Sequence, residues 1–149
     1  LALKGELLLI GIVLISHGAF AEGLLDAANM LYGADQCFTL KLNPADNPDD
    51  FEAVLEKTID EADTGEGVFI LADIMGGTPC NRAMALISKG VSAGKKRHLV
   101  AGASIPMLIS LLDNRHSASS FDELAATIIS DAGNFMTDVN DIMKKEGLL

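Results

Sequence analysis

Apolar and polar positions along the chain alternate between two periods. Leu7–Ile15 is an uninterrupted apolar run of nine residues, too short to cross a bilayer. Ala19-Phe20-Ala21 beyond it imitates a signal-peptidase site, but Glu6 directly before the run, and later runs of the same kind, favour a strand buried on both faces. Phe20–Tyr32 then puts Leu24, Leu25, Ala28 and Leu31 on one helical face, with Gly33 as its stop. Gln36–Leu42 alternates as a half-exposed second strand, and Asn43-Pro44 turns the chain. Asn47-Pro48-Asp49-Asp50 predicts a helix start, with a capping Asn, Pro at the first position and two carboxylates at the positive end of the dipole; this helix reaches about Ala62. Gly67–Ala72 is the third strand. Met75-Gly76-Gly77-Thr78-Pro79 leads into a helix over Cys80–Ser88, and after Gly90–Gly94 come a short strand, His98–Ala101, and a helix, Ile105–Leu112. Asn114–Ser119 reads as a loop. Ser120-Phe121-Asp122-Glu123 has capping-box spacing and opens a helical region to about Lys145, interrupted near Gly133.

Strands alternating with helices predict an α/β fold, a doubly wound and mainly parallel sheet with helices on both faces. Periodicity does not give the strand order. With 149 residues, no internal repeat and no long linker, one domain over 1–149 is expected. Composition adds exclusions. A chain that is 49% hydrophobic and 21% charged is neither disordered nor fibrous. A net charge of −10 disfavours nucleic acid and anionic membrane surfaces as partners. Cys37 and Cys80 are too few for a disulfide framework or a zinc cluster and fit a reducing compartment.

Two segments can carry chemistry. Ser16-His17-Gly18 follows the first strand, and Asp73, with the Met75–Pro79 turn, follows the third. Open parallel sheets bind ligands beyond the carboxyl ends of their strands, where the strand order reverses. An order of 2-1-3-4 would set His17 and Asp73 face to face in that crevice. A carboxylate accepting the Nδ1 proton fixes the tautomer and leaves Nε2 with its lone pair free to attack. It also balances the positive charge that develops on the ring. The amides of Gly76, Gly77 and Thr78, the Thr78 hydroxyl and the helix that follows suit an anion, most naturally a phosphoryl group. The same residues also suit a hydrogen-bonding strand-end His and an ordinary strand-to-helix turn.

Other candidates are weaker. Ser16 should point to the face opposite His17, so no hydrolase triad is expected. Cys80, near a helix start, reads as a packed small residue. Gly90–Lys96 fails the phosphate-loop pattern in spacing, in lacking Ser/Thr and in preceding a strand. Lys95, Lys96, Arg97 and His98 read as a solvated basic loop. Asp46–Asp50 lacks the glycine of a calcium loop, and neither His98 nor His116 has a partner at metal-ligand spacing, so no metal or other cofactor is expected.

From about Ile10 to Lys144 the chain resembles the enzyme IIA domain of the mannose/fructose/sorbose family of bacterial phosphoenolpyruvate:sugar phosphotransferase systems. The resemblance rests on Ser16-His17-Gly18, on Asp73-Ile74-Met75-Gly76-Gly77-Thr78-Pro79-Cys80-Asn81, and on the segments Ile105–Leu108 and Ser120–Leu124. It implies a cytoplasmic phosphocarrier in which His17 takes a phosphoryl group from HPr and passes it to the IIB component, with only indirect ties to the membrane IIC and IID components. Asp73 would orient His17, and Gly18, Gly76, Gly77, Thr78 and Asn81 would hold the phosphoryl group. No metal is needed, because a phosphohistidine donor carries no triphosphate charge to neutralise. The resemblance also implies a sheet of order 2-1-3-4 and a homodimer with an antiparallel strand exchanged between subunits, which would fall near Ala126–Ser130. Met30, Ile74 and Met75 are candidates for an apolar rim serving both partners. Ala19 departs from relatives with a large aromatic there, and Leu1–Glu6 precedes the family's usual start and is expected to be an extension. The alternatives are the phosphotransferase subunit of dihydroxyacetone kinase and a non-catalytic regulatory protein on the same fold.

Overall fold

The computed structural model describes residues 9–149. The expected extension Leu1–Glu6, and Leu7 and Leu8 of the expected first strand, lie outside the described residues. The order of elements is β1 (Gly11–His17), α1 (Phe20–Leu31), β2 (Cys37–Leu42), α2 (Pro48–Ala62), β3 (Val68–Ala72), α3 (Thr78–Ser92), β4 (Arg97–Ala101), α4 (Ile105–Asn114), α5 (Phe121–Phe135) and α6 (Val139–Lys145). The four strands form one parallel sheet of order β2-β1-β3-β4. The chain first builds outward from β1 to β2, then crosses back to β3 on the other side. That reversal opens the crevice between β1 and β3, in register from Gly11↔Val68 to Ile15↔Ala72.

Alternation sorts the core into two halves. Ile12 and Leu14 of β1, with Phe69 and Leu71 of β3, pack against α1, α4 and α5. Val13 and Ile15, with Val68, Ile70 and Ala72, pack against α2 and α3. Because helices cover both faces, β3 and the stretch of β1 from Gly11 to Ile15 are buried and apolar throughout and show no polar alternation. Gly11 is needed for close packing: a Cβ there would collide with the carbonyl of Ala62, the last residue of α2.

Local signals set the helix starts. The Asn47 side chain accepts from the amides of Asp49 and Asp50 at 2.8 and 3.4 Å, and Ser120 accepts from Glu123 N at 3.1 Å. The strand that the resemblance implied near Ala126–Ser130 is not formed; those residues lie inside α5. Ser120 caps this helix, and Leu124, Ala125 and Ile128 recur at helical spacing and are buried against the sheet. Gly133 does not interrupt α5, which ends at Phe135. Similarly, α3 is longer than Cys80–Ser88. Pro79 fits its first turn, where no amide is required, and Gly90 lies within the helix, where the Arg97 side chain passes 3.1 Å from where a Cβ would be.

Arg97, expected in a solvated basic loop, and Arg115, expected in a loop, are structural. Arg97 opens β4, its side chain is 3% exposed, and it donates to Leu86 O and Asp60 Oδ1 at 2.9 and 3.0 Å. Lys95 binds the same Asp60 oxygen at 2.6 Å. His98 stacks on Phe69 with ring centroids 5.0 Å apart. Arg115, directly after α4, is buried and donates to the carbonyls of Ile10 and Asp35 at 3.2 and 2.7 Å, tying together the entries of β1 and β2. Among the described residues, no helix is long and apolar enough to cross a membrane.

Candidate functional site

The crevice brings His17, the last residue of β1, to Asp73, the first residue beyond β3. Asp73 Oδ2 lies 2.8 Å from His17 Nδ1 and also accepts from the His17 backbone amide at 2.9 Å. Its other oxygen accepts from Ile74 N at 2.8 Å. Partial burial pushes the Asp73 carboxyl upward, but the His17 amide, the His17 ring and the Ile74 amide outweigh it and hold the group below its ordinary value. Asp73 is therefore ionised at neutral pH and accepts the Nδ1 proton, which leaves the lone pair on Nε2. The His17 side chain is 50% exposed and that of Asp73 16%.

The flanking residues take separate parts. Ser16 is fully buried and points away from His17; its hydroxyl donates to Gly18 O at 3.0 Å and accepts from Ala21 N at 2.8 Å, tying β1 to the start of α1. Gly18 turns the chain at φ +53°. Its amide donates to Leu42 O at 2.8 Å, so this donor is committed to β2.

On the other wall, Gly76 takes φ +82°, a conformation that suits glycine. Gly77 follows as the residue before α3, and a Cβ there would sit 2.6 Å from His17 Cε1. The turn backbone thus lies directly against the imidazole, a contact that sequence spacing could not reveal. Thr78 opens α3, whose first-turn amides have no partner within the helix; Pro79 contributes none. Asn81 does not reach toward the ring. Its side-chain amide donates back to Gly76 O at 3.1 Å, while its backbone amide closes the first helical turn on Gly77 O at 2.9 Å.

Ile74 and Met75 stand exposed beside the site, at 58% and 69%. Met30 is also exposed, but it lies near the far end of α1, roughly 15 Å along the axis from that helix's start at the site; the rim on that side begins with Phe20, at 47% exposure. Cys80 is packed in the core. Cys37 is half-buried, and burial raises its thiol to about 11, which makes it an unreactive thiol at neutral pH.

The comparisons with known proteins converge. Residues 11–129 match the family model described as the PTS system fructose IIA component. The chain is 34% identical over 123 residues to the mannose-specific EIIAB component of Escherichia coli K12, covering 80% of this chain but spanning only 36% of the relative's length. It is 30% identical over 110 residues to the sorbose-specific EIIA component of Klebsiella pneumoniae, covering 74% of this chain and 78% of that one. Among solved structures, the PTS IIA protein associated with the fucose utilization operon of Streptococcus pneumoniae superposes with a TM-score of 0.74 at 32% identity, over 89% of this chain and 95% of that one. On the family match and these relatives, the chain belongs to the enzyme IIA family of the mannose, fructose and sorbose phosphotransferase systems.

Proposed function

We propose that His17 carries the phosphoryl group, and that the protein takes it from the phosphohistidine of HPr and delivers it to a IIB component. The observation that carries this reading is the 2.8 Å contact between His17 Nδ1 and an ionised Asp73. In the forward step the Nε2 lone pair attacks phosphorus in line, and a P–N bond to Nε2 forms as the donor's P–N bond breaks. The departing electron pair stays on the donor imidazole. His17 keeps its Nδ1 proton throughout, and Asp73 balances the positive charge that the phosphorylated ring acquires. The first-turn amides of α3 and the Thr78 hydroxyl face the developing negative charge on the phosphoryl oxygens. The step calls for positioning and electrostatic stabilisation between two docked proteins, which suits a half-exposed ring with apolar Ile74 and Met75 beside it. The same reading expects a cytoplasmic homodimer.

Incubation with phosphoenolpyruvate, enzyme I and HPr, followed by intact-mass measurement, tests it. The expected result is an acid-labile gain of about 80 Da, one phosphoryl group on a nitrogen nucleophile. His17→Ala should abolish the gain with the fold intact, and Asp73→Asn should slow it without preventing docking. Labelling of His17→Ala would place the nucleophile elsewhere. No labelling of the wild-type protein by active HPr would favour a regulatory role for the fold.

A further inference from the structure

We propose that Asn81 is a positioning residue for His17, acting through the Gly76–Gly77 turn and not through contact with the phosphoryl group. The inference rests on the reading of His17 as the phosphoryl acceptor. A helix N-terminus holds a surplus of N–H donors, so side chains placed there usually accept. Asn81 does the reverse. From the fourth residue of α3 it sends a donor back to Gly76 O at 3.1 Å. That carbonyl belongs to the one residue of the turn at positive φ, +82°. The next residue, Gly77, packs so closely on the imidazole that even a methyl group would come within 2.6 Å of Cε1. Asn81 N on Gly77 O at 2.9 Å forms the second tie from the same residue. One residue therefore holds both peptides of the wall that packs on Cε1 and Nε2, while Asp73 holds the adjacent ring atom, Nδ1. With ring and wall both fixed, Nε2 can point in only one direction. One N–H of the carboxamide is committed to the Gly76 carbonyl, which ties the side chain to the wall; its second N–H is what the test must separate from a ligand contact.

The test compares Asn81→Ala and Asn81→Asp, which lose the donor, with Asn81→Gln, which keeps one. Two readouts are taken: steady-state phosphorylation by phospho-HPr, and the His17 Cε1–H resonance in the unphosphorylated protein. The resonance is assigned by its loss in His17→Ala. Positioning predicts that Ala and Asp lower kcat roughly tenfold, the rate equivalent of one ordinary hydrogen bond, with KM unchanged. It also predicts that both shift the Cε1–H resonance, and that Gln restores part of each effect. A rise in KM alone would make Asn81 a partner contact. An unmoved resonance with a shortened phosphohistidine lifetime would make it a phosphoryl ligand. Either result overturns the proposal. If the wild-type protein accepts no phosphoryl group, the acceptor reading fails separately, and an unmoved resonance would still refute the positioning of the ring.

Discussion

Asp73 couples the chemistry of the site to the stability of the fold. Its carboxyl value lies below the ordinary 3.8 in the folded chain, so the unfolded state binds its proton more readily. The stabilisation is complete at pH values well above 3.8 and is lost as the pH falls through the lower folded value. The stability difference between wild type and Asp73→Asn should therefore narrow as the pH falls below the ordinary carboxyl range. Chemical denaturation at a series of pH values measures it, and a difference unchanged down to about pH 2.5 would mean that folding does not favour the ionised form of Asp73. His17 and Asp73 were legible in the sequence because each sits at the end of an apolar run, and strand ends in parallel sheets collect at one edge. The contacts around them were not. Gly77 against the ring and Gly18 on Leu42 depend on how separate strand ends meet, while Asn81 on Gly76 is local but turns on a side-chain direction that spacing does not give.

For the elements, legibility follows the range of the physics. The starts of α2 and α5 could be read because a cap is a local hydrogen bond between residues two or three apart. The end of α3 could not, since Gly90 disfavours a helix by propensity, yet lies within this one, packed under an arginine seven residues on that also binds Leu86 O. Residues 126–130 follow the same rule, because their own apolar spacing and the Ser120 cap favour the helix over the strand that the resemblance implied. Close packing between elements gives a prediction here. Gly11 is the point at which β1 touches the end of α2, and Gly11→Ala would force a methyl group into the Ala62 carbonyl. Overpacking of this kind costs about 1–3 kcal/mol. A urea midpoint lowered accordingly, at unchanged slope, is the expected outcome; an unchanged midpoint would mean that α2 yields without cost.

At the scale of the whole molecule, the sheet order and its crevice were conditional in the sequence and are set by the crossover from β2 to β3. The buried Arg115, read from sequence as part of a loop, holds the opposite end of the same sheet. The expected homodimer belongs to this scale. A groove of about 460 Å³ lined by Leu31, Tyr32, Ile109 and Phe135 runs between α1, α4 and α5, and Leu31 and Phe135 are 66% and 70% exposed. With residues 126–130 helical, pairing would rest on side chains and not on an exchanged strand. Sedimentation velocity should give twice the 15.7 kDa of one chain, and Phe135→Glu should give the single mass; a wild-type protein sedimenting at the single mass would remove the expectation.

The half-open imidazole has one more consequence. A ring open enough for two proteins to reach it in turn, as proposed, is also within reach of water. On the proposed reading, a phosphorylated His17 would be a perishable store, and what it delivers would depend on how soon an acceptor arrives relative to how fast the load decays. Scarcity of the next component would show itself as phosphoryl groups spilled to solvent and not as a permanently loaded pool.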